Sequence, residues 1–149
     1  MKGLVSLSLA TLALVLLGPL DVARAQGGGG DAEKGKKVFA KCMTCHRIGD
    51  DAKNMVGPVL TGVIGRQAGT MPNFQYSALN RAAGENGLDW TEDRIFEYLA
   101  NPNAFLKKFL TEKNKASLAT GSTKMVFNLP NAEERKDVIA FLKTFPKKD

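Results

Sequence analysis

The sequence predicts a small all-α domain whose short helices and long loops wrap around something other than protein. Three observations carry that reading. Apolar residues recur at helical spacing in several short runs, most of them behind a residue type that caps helices. Strand-like alternation never lasts. From Gly49 to Pro72 the chain is punctuated by Gly57, Pro58, Gly62, Gly65 and Gly69, which suits loops folded over a centre more than a sheet. At 149 residues, 44% hydrophobic and 24% charged, the chain fits one ordinary domain and excludes collagen-like, coiled-coil and wholly disordered classes. Three or four short helices make a thin core for this length, so another body is expected in the middle.

The first 25 residues read as a secretory signal. Lys2 gives a positive start, Leu4 to Leu17 is apolar apart from Ser6, Ser8 and Thr11, Gly18-Pro19 breaks the run, and Ala23-Arg24-Ala25 offers a cleavage site. The apolar run is shorter than the ~20 residues a membrane span needs. Cleavage after Ala25 leaves Gln26 to Gly30 as a flexible leader and residues 31–149 as the domain, exported to a periplasm. Without Lys2, Arg24 and Asp21 the remaining 124 residues hold 19 basic and 14 acidic side chains, net +5.

Asp31 caps a first helix running to about Lys41, with Val38 and Phe39 on its apolar side. Gly35 sits mid-helix, where it costs about 1 kcal/mol against Ala; a close approach by another helix would explain it. Thr91 caps a second helix through Ile95, Tyr98 and Leu99, stopped at Asn101 by Pro102. Phe105, Leu106, Phe109 and Leu110 form a short amphipathic run, followed by a polar, exposed segment from Thr111 to Gly121. The last helix starts on Asn131 with Glu134 in a capping-box pattern, carries Val138, Ile139, Phe141 and Leu142 on one face, and ends before Pro146.

The chemistry lies in Cys42-Met43-Thr44-Cys45-His46, the C-x-x-C-H pattern of c-type haem attachment. Two thiols three residues apart at a helix end share one face and can reach both vinyl groups of one porphyrin, and the adjacent imidazole falls over the iron. A thioredoxin-like pair would want a preceding strand, and a structural zinc site would need a fourth ligand that the chain lacks. A plain local disulfide is the remaining alternative. His46 is the sole histidine, so the sixth iron position falls to Met, to a weaker donor or to nothing. Met55 and Met71 read as core filler. For Met125, in Gly121-Ser122-Thr123-Lys124-Met125-Val126-Phe127, filler and ligand stand level on local context.

Beyond that motif the chain resembles class I c-type cytochromes, specifically the bacterial cytochromes c2 of purple phototrophs. The resemblance runs from Gly35 through Lys143. It rests on Cys42–His46, Gly57-Pro58-Val59-Leu60, Gly65-Arg66-Gln67-Ala68-Gly69, Asn73-Phe74-Gln75-Tyr76-Ser77, Trp90, Tyr98-Leu99, Asn101-Pro102 and Thr123–Phe127, in that order. It implies the class I cytochrome c fold around one covalently attached haem c, thioether-linked through Cys42 and Cys45, with His46 and Met125 as axial ligands. It further implies that the Pro58 carbonyl accepts the imidazole N–H, and that Tyr76, Trp90 and Arg66 receive a buried propionate. Tyr98, Asn80 and Thr123 resemble a polar trio beside the Met ligand, and Gly35 and Phe39 would meet Phe141 and Leu142 where the first and last helices cross. One departure is the stretch Leu106–Thr120, which compact relatives cross in a couple of residues.

With both axial positions closed, the expected function is one-electron transport without catalytic turnover. By resemblance, a monomeric carrier takes electrons from a cytochrome bc1 complex and delivers them to a photosynthetic reaction centre or a terminal oxidase. Export argues against nucleic acid as the basic protein's partner. Lys41 and Lys124, beside the attachment site and Met125, are the first candidates for a ring that steers docking, with Lys53, Lys107, Lys108, Lys113 and Lys115 in flanking segments. The alternative is a five-coordinate haem protein that binds a small gas or reacts with peroxide.

Overall fold

Every α-helix among the described residues begins on a side chain that accepts from its own first turn, each such cap stabilising by about 1 kcal/mol. In the computed structural model, which describes residues 29–147, α1 (Ala32–Phe39) starts on Asp31, which accepts from Glu33 N and Lys34 N. Ser77 accepts from Asn80 N at the head of α2 (Ala78–Glu85). Thr91 accepts from Arg94 N for α3 (Glu92–Ala100), and Asn101 from Ala104 N for α4 (Pro102–Glu112). Asn131 accepts from Glu133 N and Glu134 N for α5 (Ala132–Lys143). The chain between helices is loop, one exposed 3₁₀ turn (Ala116–Leu118) and one isolated antiparallel bridge, Gln67 with Asp89. No helix among the described residues is long and apolar enough to cross a membrane. The expected signal segment lies outside those residues.

The crossing of α1 on α5 frames the domain, and Gly35 explains it. A Cβ at Gly35 would overlap the Asp137 carbonyl, so only glycine lets the two backbones meet there. Phe39 and Phe141 close the crossing with ring centroids 5.2 Å apart. Gly30 also lies against α5, where a side chain would collide with the Lys136 carbonyl, and Asp31 N donates to Asp137 Oδ1 at 2.8 Å. Gly30, expected in the flexible leader, is thus packed on the domain. Glu134 does not return to Asn131 to complete the expected capping box; its carboxylate takes Lys41 Nζ at 2.7 and 2.8 Å instead.

Three further features depart from expectation. α2 has no counterpart in the sequence reading, because its apolar side is only Leu79 and Ala83 and its end, Gly84 to Gly87, reads as turn. Gly84 is there for contact: a Cβ would overlap the Ala68 carbonyl. Met55 is not core filler, being 45% exposed in a bend closed by Met55 N on Gly57 O at 2.9 Å. The unusual stretch after Phe105 divides in two. Leu106 and Leu110 are fully buried on α4, and only the stretch beyond Glu112 is exposed loop.

Candidate functional site

The helices and loops leave a cavity of about 400 Å³ at the centre, a size suited to a cofactor. Thirteen residues expected at the haem or at the head of its docking ring line it: Lys41, Cys42, Cys45, His46, Pro58, Arg66, Tyr76, Asn80, Trp90, Tyr98, Thr123, Lys124 and Met125; the flanking lysines from Lys53 to Lys115 do not. Apolar side chains from α1, α3 and α5, including Phe39, Ile95 and Leu142, form much of the remaining wall.

The attachment segment leaves α1 as a run of tight turns. Cys42 N donates to Phe39 O at 2.8 Å, Cys45 N to Cys42 O at 3.0 Å and His46 N to Cys42 O at 2.9 Å. Arg47 Nη1 caps the same turns from outside, donating to the Met43 carbonyl and, at 2.8 Å, to the His46 carbonyl. Both cysteines are half-buried and not joined to each other. Burial pushes the free Cys42 thiol up to about 11. A helix precedes the pair where a thioredoxin-like motif would follow a strand, which speaks against the redox-pair alternative. The zinc alternative finds no ligand set, since no group of three or more His, Cys, Asp or Glu side chains gathers among the described residues.

His46 is fixed from two sides. Its Nδ1 donates to the Pro58 carbonyl at 2.7 Å, and Gly57 lies so close that a Cβ there would overlap the ring. Burial holds the imidazole below its usual pKa, partly offset by the Pro58 bond. A neutral ring that donates from Nδ1 keeps a lone pair on Nε2. Asn54, which no sequence motif singles out, braces the loop: its Oδ1 accepts from Val59 N at 2.9 Å and its Nδ2 donates to Pro72 O at 2.8 Å.

A second group gathers Arg66, Tyr76 and Trp90. Trp90 N donates to Arg66 O at 2.8 Å and Gly65 N to Trp90 O at 2.9 Å, pairing the two segments that carry them. Arg66 Nη2 donates to Val59 O at 2.9 Å and Nη1 to Thr61 O at 3.2 Å. Burial lowers the Arg66 pKa and raises that of Tyr76, whose hydroxyl accepts from Met71 N at 3.3 Å. Arg66 is a partly buried cation bonded only to carbonyls in these contacts, a setting that favours an anion beside it.

The third group is Tyr98, Asn80 and Thr123. Trp90 and Tyr98 pack with centroids 4.7 Å apart, and burial pushes the Tyr98 hydroxyl up to about 12 against a hydrogen bond with Thr123. Asn80 lines the cavity and its Oδ1 is buried without a hydrogen-bond partner, leaving an acceptor for a polar group. Met125 lines the same space, and its N donates to Thr123 Oγ1 at 3.2 Å. Met71 is half-buried in the loop before Tyr76 and lies outside the cavity lining.

The two cavity lysines are both engaged, one by a carboxylate and one by a carbonyl. Lys41 is paired with Glu134, and Lys124 Nζ donates to Gln75 O at 2.6 Å, joining segments 49 residues apart. Val56 and Val126, which also line the cavity, are 72% and 93% exposed.

Two thiols on one turn, an oriented imidazole with a free nitrogen, a thioether, a partly buried cation and an unpartnered acceptor around an apolar cavity fit a covalently attached haem. Comparison with known proteins agrees. A family model described as cytochrome c matches residues 32–146. The chain is 67% identical over 116 residues to cytochrome c2 iso-1 of Rhodospirillum centenum, covering 78% of this chain and 97% of that protein. It is 61% identical over 114 residues to a cytochrome c2 of Rhodopseudomonas palustris, covering 76% and 97%. Among solved structures, the cytochrome c2 of Rhodospirillum centenum superposes with a TM-score of 0.78 at 64% identity, covering 79% of this chain and all of the other. The ferricytochrome c2 of Rhodopseudomonas palustris gives 0.74 at 62% identity, covering 77% and 98%. The chain belongs to the cytochrome c family, in its class I bacterial cytochrome c2 branch, and carries that family's one covalently attached haem c.

Proposed function

We propose that the chain is a periplasmic one-electron carrier whose iron is held between His46 and Met125. The observation that carries the reading is that the oriented imidazole and the Met125 thioether line one cavity with both cysteines. When bound, the haem supplies an iron that exchanges one electron between Fe(II) and Fe(III). The residues decide what else it can do. Cys42 and Cys45 would hold the group covalently, and His46 would bind through Nε2, its basicity raised by the Pro58 bond. Met125 would close the sixth position, and a thioether there favours the reduced state relative to a second imidazole. Arg66, Tyr76 and Trp90 would hold a propionate, and Asn80 with Tyr98 and Thr123 would keep a polar patch beside Met125.

Donor and acceptor follow from the family resemblance and the charge. A cytochrome bc1 complex would supply the electron, and a photosynthetic reaction centre or a terminal oxidase would receive it from a monomeric carrier in transient complexes. Processing after Ala25 would leave Gln26 as the first residue of the exported form, and mass analysis of that form checks it.

Carbon monoxide decides the ligation. The reduced wild-type spectrum should not change under the gas, whereas Met125→Ala should keep its haem attached and shift. A wild-type shift would overturn His/Met closure in favour of an open-site protein.

A further inference from the structure

The segment that carries Met125 is held in an unusual way. From Thr120 to Asn128 the described chain makes no backbone–backbone hydrogen bond; the next one along the chain is Leu129 N on Leu99 O at 2.7 Å. Backbone groups without such partners are held by side chains or water. Thr123, 9% exposed, has its N–H satisfied by Asn103 Oδ1 at 3.1 Å, across 20 residues of sequence. Asn103 sits in the first turn of α4, between the capping Asn101 and the buried core of that helix, so its acceptor stands on a rigid element. Thr123 Oγ1 then accepts from Met125 N at 3.2 Å. Two hydrogen bonds in series therefore run from α4 to the Met125 backbone, bridging the whole excursion from Ala104 to Ser122.

We propose that Asn103 is a positioning residue for Met125: by fixing Thr123 it sets how readily the Met125 segment swings away from the cavity. The inference rests on Met125 as the sixth ligand. It also gives the long excursion a role, since α4 presents the side chain that receives the chain on its return.

The test uses the ferric holoprotein and exogenous imidazole, which competes with a thioether for the iron. Asn103→Ala and Asn103→Leu lack the acceptor; Asn103→Asp keeps one. Loss of one such bond should tighten imidazole binding about three- to tenfold in the Ala and Leu variants, with Asp near wild type. Equal imidazole affinity in all four proteins would overturn the proposal, and so would an Asp variant that behaves like Ala, because loss of general packing would then be the cause. Hydrogen exchange on the wild-type protein gives a second reading that needs no variant. The Thr123 amide should be protected relative to Val126, and an unprotected Thr123 amide would refute the bond. Met125→Ala separates the underlying reading: it must abolish the Met–iron charge-transfer band. If the band survives there, the ligand assignment fails whatever the Asn103 variants do.

Discussion

The two sides of the cavity are built by different means. On the His46 side the backbone is woven together: Gly57 N reaches Cys45 O at 2.8 Å and Leu60 N reaches Arg47 O at 3.0 Å, on top of the turns through Cys42 and His46. On the Met125 side no backbone pair is made over nine residues, and the segment hangs on side chains. Asn103 holds Thr123, Lys124 reaches Gln75, and Arg135 Nη1 donates to Leu129 O and Pro130 O, both at 2.8 Å. A woven segment opens only with the domain around it, whereas a pinned one can open locally at the cost of a few bonds. Under the proposed ligation, the permanent attachments and the imidazole would sit on the stiff side, and the exchangeable thioether on the releasable side.

The largest expected effect breaks the stiff side. Gly57→Ala places a methyl group into the His46 ring, whose Nδ1 is held by the Pro58 carbonyl. Overpacking of this kind costs about 1–3 kcal/mol, and the ring cannot move without losing the Pro58 bond. The variant should unfold earlier in denaturant and show altered haem absorption. Wild-type behaviour in both would mean that the proximal loop is softer than its hydrogen bonds indicate.

Next in size is the far anchor of the releasable side. The Arg135 guanidinium lies 4.4 Å over the Phe96 ring while holding two carbonyls. Arg135→Ala should cost about 2 kcal/mol and weaken the Met–iron band at lower denaturant than global unfolding followed by Trp90 fluorescence. Coincident transitions would show that the anchor serves the whole fold and not the Met125 segment.

Much of the stiff side was legible in sequence because its signals are local. A C-x-x-C-H run, a Pro twelve residues on, and caps at Asp31, Thr91 and Asn131 each act within a few residues. The mid-helix Gly35 also announced a helix crossing, since glycine there is otherwise a penalty. What stayed hidden depends on residues distant in the chain. Nothing around Asn103 or Asn54 signals partners 20 and 18 residues away. α2 escaped because its helical face is two side chains and a glycine that serves contact with Ala68. Lys41 and Lys124 were readable as charges but not as partners of Glu134 and Gln75 O.

Those engagements sharpen the smallest prediction. Charge reversal at Lys41 would set a carboxylate against Glu134, so neutralisation is the cleaner probe. Lys41→Gln and Lys124→Gln should each slow association with an acidic redox partner a few-fold at low salt, with little change in the electron-transfer rate inside a formed complex. The effect should fade near 0.1 M salt, where charges more than about 10 Å apart are screened. Lys147→Gln, exposed and away from the cavity lining, should matter less. Equal slowing by all three would assign the effect to net charge alone.

The difference between the two sides is tested most directly by native-state hydrogen exchange on the ferric holoprotein at low denaturant. The amides of Cys45, His46 and Gly57 should exchange only through openings close in free energy to global unfolding. The amide of Met125, bonded only to Thr123 Oγ1, should exchange through a local opening several kcal/mol cheaper. Exchange of both groups with one common free energy would contradict the account, since the Met125 segment would then open only when the whole domain does.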